Sequence, residues 1–346
     1  MSAPREALLY EAESDGYLIC RLCRHECRIQ EGKRGVCRVR ENRAGKLYTL
    51  VYGRVISQHV DPIEKKPLYH FYPGSTAYSI ATAGCNFKCP WCQNWEISQL
   101  PNREAAIPGR EASPRDVVNA ALAYGSRSIA YTYTEPTIFF EYAYDTAQIA
   151  EAEGLLNVFI TNGYMSEAAL DRIGPHLHAA NVDLKAFRDP TYKRLIGGRL
   201  EPVLENMKLM KAMGIWVEVT TLVIPDLNDD PEELADAADF IAQELGPETP
   251  WHISRFYPTY RWTDRPPTSI TTLEAAREIG LDRGLRYVYI GNVDGGAGSD
   301  TRCPECGELL LRRRGFSVLS NRIRGDHCPN CGRRIEGVGL GGMDLA

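Results

Sequence analysis

Three cysteines fall inside eight positions of the stretch GCNFKCPWCQNW, residues 84 to 95: Cys85, Cys89 and Cys92. Thiolates spaced this tightly suit one small inorganic centre. A tetrahedral zinc site would need a fourth ligand, such as a distant His or Cys. A [4Fe–4S] cluster usually takes four cysteines, so three would leave one iron open to another ligand. The bland alternative is a set of buried structural cysteines. On a helix these positions would form one stripe, but Gly84 before them and Pro90 among them predict a loop.

The eleven cysteines divide into a four, a three and a four, with none left over. Nothing at the N-terminus signals export, so metal binding or catalysis is favoured over disulfides, and a cytoplasmic location is expected. Cys303 and Cys306, then Cys328 and Cys331, form two CPxCG knuckles with strong metal spacing; zinc is the first choice and rubredoxin-like iron the second. The LRRRG between them reads as a solvated turn, or as the basic part of a nucleic-acid-binding ribbon. Cys20, Cys23, Cys27 and Cys37 fit either a zinc that staples the arm or an auxiliary iron–sulfur cluster that relays electrons.

The elements that must position these residues are legible between about 78 and 292. Near-continuous apolar runs begin at 78, 128, 156, 180, 215, 251 and 287, as in strands of a parallel sheet buried on both faces. Helix starts punctuate the intervals: Ser113-Pro114 with Asp116, Asp230-Pro231, and Thr271 with Glu274 as a capping box. The fold class is therefore α/β, a partial or complete (βα)6-type barrel. It carries small Cys-rich extensions at 1–77 and 293–346, the latter opening with the Gly-rich linker DGGAGSD. The β-like run KLYTLVYGRVISQHV precedes the barrel. A net charge of -5 argues against a nucleic-acid surface, and no apolar run is long enough for a membrane span.

C-x3-C-x-aromatic-C, with Trp91 before the last cysteine, resembles the signature of the radical SAM superfamily. The longer stretches DPIEKKPLYHFYPGS (61–75) and CNFKCPWCQNWEIS (85–98) resemble the AmmeMemoRadiSam-system radical SAM enzymes, a branch similar to pyruvate formate-lyase-activating enzymes. The likeness extends through both outer cysteine groups and so covers nearly the whole chain. It implies that Cys85, Cys89 and Cys92 ligate three irons while S-adenosylmethionine chelates the fourth. Reduction then yields a 5′-deoxyadenosyl radical that abstracts a substrate hydrogen. It further implies a one-electron donor such as flavodoxin or ferredoxin, and partner proteins of the AmmeMemoRadiSam system. The substrate, a small molecule or a protein that receives a glycyl radical, is not named by it. A zinc-rich nucleic-acid-binding module is the reading from a different class.

The same resemblance assigns roles to strand ends. Trp91 would line the adenine side, or pack the loop. In YTYTEPT, Thr134 and Glu135 occupy a turn that relatives build as Gly-Gly-Glu, and would receive the methionine amino group; an exposed helix-start glutamate is the alternative. Thr161 and Asn162 end the third strand. Asp183 and Lys185 alternate with apolar neighbours and can point together into the barrel, around ribose, methionine carboxylate or a cation, or as a structural ion pair. Thr220, Thr221 and His252 are weaker cofactor candidates, a lone strand histidine being more often a core residue. Arg255, Tyr257 and the aromatic FYPTYRW run would face the barrel mouth or cover it.

Overall fold

The computed structural model describes residues 5–103, 106–293 and 298–341. Residues 294–297 of the DGGAGSD stretch lie outside the described residues. An eight-stranded sheet organises the chain: β1 (Ser57–Pro62), β2 (Thr76–Ala81), β3 (Ser128–Tyr131), β4 (Leu156–Thr161), β5 (Ala179–Asp183), β6 (Trp216–Val223), β7 (Trp251–Arg255) and β8 (Val288–Gly291). The strands lie side by side in chain order, β2 to β8 parallel and β1 antiparallel to β2. The seven apolar runs read from the sequence are the seven parallel strands, with ends shifted by a few residues.

Helices α1 (Pro114–Ala123), α2 (Phe140–Ala152), α3 (Glu167–Ile173), α4 (Glu201–Ala212), α5 (Pro231–Phe240) and α6 (Ile270–Asp282) fill the six crossovers. Among the described residues β1 and β8 do not pair, so the barrel is partial. Ser113 and Asp116 form a reciprocal capping box, and Asp230 accepts from the amides of Glu232 and Glu233, both as expected. The Thr271–Glu274 cap is corrected. Ser269 accepts from the amide of Thr272, so α6 begins at Ile270 and Thr271 already lies inside it. The serine hydroxyl satisfies the free amides two residues before the threonine could.

Alternation along the strands puts Ala130, Val158 and Ala179 on the inner face. These small side chains leave room for Ile63, Leu68 and Phe71, which pack against them with Ala77. The segment DPIEKKPLYHFYPGS is therefore the floor of the barrel. Polar side chains hold it there. Asn181 donates to the carbonyl of Pro67 at 2.7 Å, and Glu218 accepts from the amides of Tyr69 (3.0 Å) and His70 (2.8 Å).

The tail adds an antiparallel sheet of Thr301–Arg302, Leu309–Arg314 and Ser317–Asn321. Alternation within Leu309–Arg314 corrects the reading of LRRRG as a solvated turn: Arg313 is buried. Its guanidinium donates to the carbonyl of Tyr69 and to Thr301 Oγ1, both at 2.8 Å, and lies 4.2 Å over the Tyr69 ring. It also faces the buried Glu64 carboxylate at 3.7 Å. The tail thus joins the floor beside β1 to Tyr289 on β8, across the open side of the sheet. No helix among the described residues is long and apolar enough to cross a membrane.

His70 sits at this junction. Its Nδ1 lies 2.6 Å from the carbonyl of Glu336, which can only accept, so Nδ1 carries the proton. Nε2 then accepts from the Tyr289 hydroxyl at 2.6 Å. Burial pushes the His70 pKa down to about 4 from an ordinary 6.5. Protonation therefore favours the unfolded chain, and stability contributed by this residue should be lost as pH falls from about 6.5 to 4. The loss is about 1.4 kcal/mol per unit, ~3 kcal/mol in all. Urea denaturation across this window should show that slope, and His70→Gln should flatten it.

Candidate active site

The three-cysteine loop follows β2 at its C-terminal end, where parallel α/β sheets gather their functional groups. The loop is irregular, as Gly84 and Pro90 predict. Gly84 has φ +109°, and a Cβ there would meet Val39 Cγ1 at 2.8 Å. Cys85, Cys89 and Cys92 line a cavity of about 470 Å³ together with Trp91, Thr134, Glu135, Asn162, Asp183 and Lys185. These residues come from the ends of β2, β3, β4 and β5, and the structure brings them to one place. Burial pushes the Cys89 thiol up to about 12 and raises the Cys85 thiol as well, so a metal here would have to displace both protons.

Glu135 is buried, not exposed, and its oxygens are heavily used. Oε1 accepts from the Thr137 amide (3.0 Å), the Thr137 hydroxyl (2.6 Å) and Thr161 Oγ1 (2.7 Å). Oε2 accepts from the Asn162 amide at 2.8 Å. The carboxylate therefore ties the β3 loop to the end of β4. Thr161 acts through this bond and does not line the cavity. Asn162 donates to Asn86 Oδ1 at 2.7 Å, holding the cysteine loop from the other side.

Asp183 and Lys185 do face the cavity together, and their ion pair is 2.7 Å long. Burial opposes the charge of Lys185, but the Asp183 carboxylate outweighs it and raises its pKa. Trp91 lines the cavity and packs on Trp262 with ring centroids 4.8 Å apart. Tyr260 stacks on Trp95, and the Arg261 amide donates to the Pro90 carbonyl at 3.0 Å. The FYPTYRW run therefore covers the cysteine loop. Arg255 and Tyr257 bond each other and stay outside the cavity lining.

Two sequence candidates lie elsewhere. Thr221 faces the outer side of β6, accepting from Trp251 Nε1 at 3.0 Å, while Thr220 lines the cavity. His252 is on the inner face but deep, 2.6 Å from Glu218, so it supports the floor and does not line this cavity. Lining residues that the sequence analysis did not single out include Lys66, Asn181, Ser254, Asn292 and Phe316. Lys66 is buried and paired with Asp61 at 2.6 Å; burial brings its pKa down to about 8. A Lys-Lys-Pro run gives no sign of this, because only the floor's position buries one lysine and exposes the other. Phe316 comes from the turn of the tail hairpin.

The outer cysteines form two different sites. Cys303, Cys306, Cys328 and Cys331 bring their sulfurs all within 4.8 Å of one another, the only such group of metal-ligating side chains among the described residues. Cys20, Cys23, Cys27 and Cys37 line one small cavity beneath Thr137 and Ile138.

The model of the Radical SAM superfamily matches residues 79–238. An uncharacterized protein of Methanocaldococcus jannaschii is 48% identical over 334 residues, covering 96% of this chain and 99% of that one. The pyruvate formate-lyase-activating enzyme of Clostridium pasteurianum is 22% identical over 164 residues, covering 46% of this chain and 66% of that enzyme. A radical SAM methyltransferase structure from Sphaerobacter thermophilus superposes with a TM-score of 0.50 at 17% identity, over 69% of this chain and 71% of that one, a likeness of fold.

Glu135→Gln tests the clamp. A glutamine amide cannot accept at its nitrogen, so at least one of the four donors is left unsatisfied in the interior. The metal-free protein should lose about 1–3 kcal/mol in chemical denaturation. Thr137→Val, which removes one donor and no acceptor, should cost less.

Proposed function

We propose that this chain, whose residues 79–238 match the model of the Radical SAM superfamily, cleaves S-adenosylmethionine reductively at Cys85, Cys89 and Cys92 to oxidise a substrate by hydrogen abstraction. The observation that carries the reading is the placement of three cysteines, and no fourth, on one cavity at the C-terminal mouth of the parallel sheet. Their sulfurs do not gather within 4.8 Å of one another, which suits a cluster of several irons better than a single ion. With a [4Fe–4S] cluster and S-adenosylmethionine bound, the chemistry supplied is cleavage of the sulfonium to a 5′-deoxyadenosyl radical.

This chain's own residues would hold, orient and enclose. Trp91 offers an apolar face for the adenine. Asn162, Asp183 and Lys185 offer polar groups to ribose and to the methionine end, and the Thr134–Glu135 turn supplies backbone acceptors for the amino group. Trp262 over Trp91 keeps water from the loop, which matters because a free radical must meet only its substrate. The remaining wall, Lys66, Asn181, Thr220 and Ser254, is left for the substrate, and Lys66 suits one with an anionic or carbonyl group. An external one-electron donor of the flavodoxin or ferredoxin class would supply the electron. The resemblance of the DPIEKKPLYHFYPGS and CNFKCPWCQNWEIS stretches to AmmeMemoRadiSam-system enzymes supports a substrate presented by partner proteins of that system. A second reading, generation of a glycyl radical on a partner protein, is favoured by homology to pyruvate formate-lyase-activating enzymes.

Anaerobic reconstitution followed by reduction should release 5′-deoxyadenosine from S-adenosylmethionine, with at least a hundredfold loss in Cys85→Ala. Absence of release from the reconstituted wild type would overturn the reading. Deuterium entering 5′-deoxyadenosine from a labelled macromolecular fraction, and not from a small-molecule fraction, would select the glycyl-radical version.

For the tail we infer a structural zinc. Sulfur pairs Cys303–Cys331 and Cys306–Cys328 are 3.6 and 3.7 Å apart. A Zn–S bond of about 2.3 Å puts tetrahedral sulfurs roughly 3.8 Å apart. The double variant Cys303→Ala/Cys306→Ala should lose one zinc per chain and no iron by elemental analysis. Its thermal midpoint should fall, because Arg313 and Leu311 then lose the fold that seats them on the floor.

A further inference from the structure

The four N-terminal cysteines behave differently from the four at the C-terminus. In the tail the sulfurs are already at zinc spacing. Cys20, Cys23, Cys27 and Cys37 surround a common cavity, yet their sulfurs are not all within 4.8 Å of one another. They share this wider spread with Cys85, Cys89 and Cys92. A single zinc ion would draw four sulfurs together, whereas a cubane places irons and sulfides between them.

A second observation points to what fills the space. Arg40 lines the same cavity and is 1% exposed. Its Nη2 is used, donating to Glu141 Oε1 at 2.9 Å and to the Leu8 carbonyl. Its Nε and Nη1 have no partner. Two unmet guanidinium donors in a dry interior cost several kcal/mol unless a ligand accepts from them. Zinc tetrathiolate offers only its four sulfurs, while the sulfides of an iron–sulfur cluster add acceptors in the interior of the cavity. The backbone contributes as well, the Val36 amide reaching Cys27 Sγ at 3.4 Å.

This cavity lies directly behind the active-site loop. A Cβ on Gly84 would sit 3.3 Å from the Cys37 carbonyl. His25, between Cys23 and Cys27, donates from Nε2 to the Asn86 carbonyl at 2.8 Å, and its ring meets that of Phe87, which lines the active-site cavity. Thr137 and Ile138, two and three residues past Glu135, form its other wall.

We propose that Cys20, Cys23, Cys27 and Cys37 hold a second iron–sulfur cluster whose sulfides accept from Arg40, and that it passes single electrons to the centre at Cys85, Cys89 and Cys92. One electron enters from a reduced one-electron donor protein, which is oxidised, and leaves for the active-site centre; no bond forms or breaks and no proton moves. The metal assignment stands by itself, and only the relay rests on the proposed function.

The test uses the full chain, reconstituted anaerobically. Wild type should hold roughly eight irons and the Cys85→Ala/Cys89→Ala/Cys92→Ala variant about four, each with one zinc. After reduction, that variant should retain an electron paramagnetic resonance signal of a reduced cluster that S-adenosylmethionine leaves unchanged. About two zinc ions and no iron in this variant would overturn the assignment, whatever the wild type does to S-adenosylmethionine. Arg40→Met should shift the midpoint potential of the retained signal to a more negative value; an unmoved potential would remove Arg40 from the proposal. Cys20→Ala/Cys23→Ala should keep cleavage with a small chemical reductant and lose at least tenfold with a reduced donor protein. Equal loss with both would overturn the relay while leaving the iron count as an independent result.

Discussion

A single buried carboxylate sets the height of the barrel floor. Glu218, on the inner face of β6, accepts from two successive amides, Tyr69 and His70, and from Trp216 Nε1 and His252 Nε2. Burial opposes its charge, but His252 leads the groups that hold the carboxyl below its usual range. Four donors around one carboxylate make a buried charge tolerable, and removing it would strand two main-chain amides that have no other acceptor. Everything above depends on that height. Pro67 is held by Asn181, which in turn accepts from Thr220 at 2.8 Å, and both side chains belong to the cavity wall. Lys66, one residue earlier, reaches the cavity because Pro67 cannot move.

The same floor explains why the tail belongs to one body with the barrel. Arg313, Glu336 and Val338 all bond to residues 69–72, the last two through main-chain groups. A hairpin fixed at its base by the cysteine knuckles can then place Phe316 at the cavity rim. A metal in the tail would lie away from the cysteine loop and still bear on the cavity rim, through the hairpin that carries Phe316. The open side of a partial barrel leaves strand edges and inner side chains to be covered, and this chain covers part of that opening with its own C-terminal module.

Strand positions were legible because a sheet covered on both faces demands unbroken apolar runs, and Val-, Ile- and Tyr-rich runs satisfy little else. The cysteine loop was legible because its spacing is tighter than any core requires. Residue roles within strands were harder. Thr220 and Thr221 differ by one position, and which of them looks inward depends on a pleat that begins several residues earlier. His252 shares the inner face with Ser254, but depth in a barrel is set by tertiary stagger, not by parity. Arg313 was hidden because three arginines alternate on a strand, and alternation buries only the middle one. Glu218 was hidden by its apolar neighbours, where one acidic residue gives no hint of four donors.

The mouth of the cavity has a feature that ties these levels together. The turn after β3 contains no glycine, and Tyr133 takes φ +62°, the left-handed region, at a cost of about 1–2 kcal/mol for a residue with a Cβ. Side chains offset that cost. Asn94 of the cysteine loop donates to the Tyr133 carbonyl at 2.7 Å, the Tyr133 hydroxyl bonds Asp61 at the end of β1, and Lys66 of the floor lies 4.5 Å over its ring. One strained residue therefore receives contacts from the cysteine loop, the edge strand and the floor. A glycine would adopt the same angle freely and connect none of them. The tyrosine makes the turn rigid by making it depend on its surroundings, so any shift of the floor reaches the cysteines through Asp61, Tyr133 and Asn94. If the site forms the radical proposed above, such mutual constraint serves it better than the backbone strain harms it.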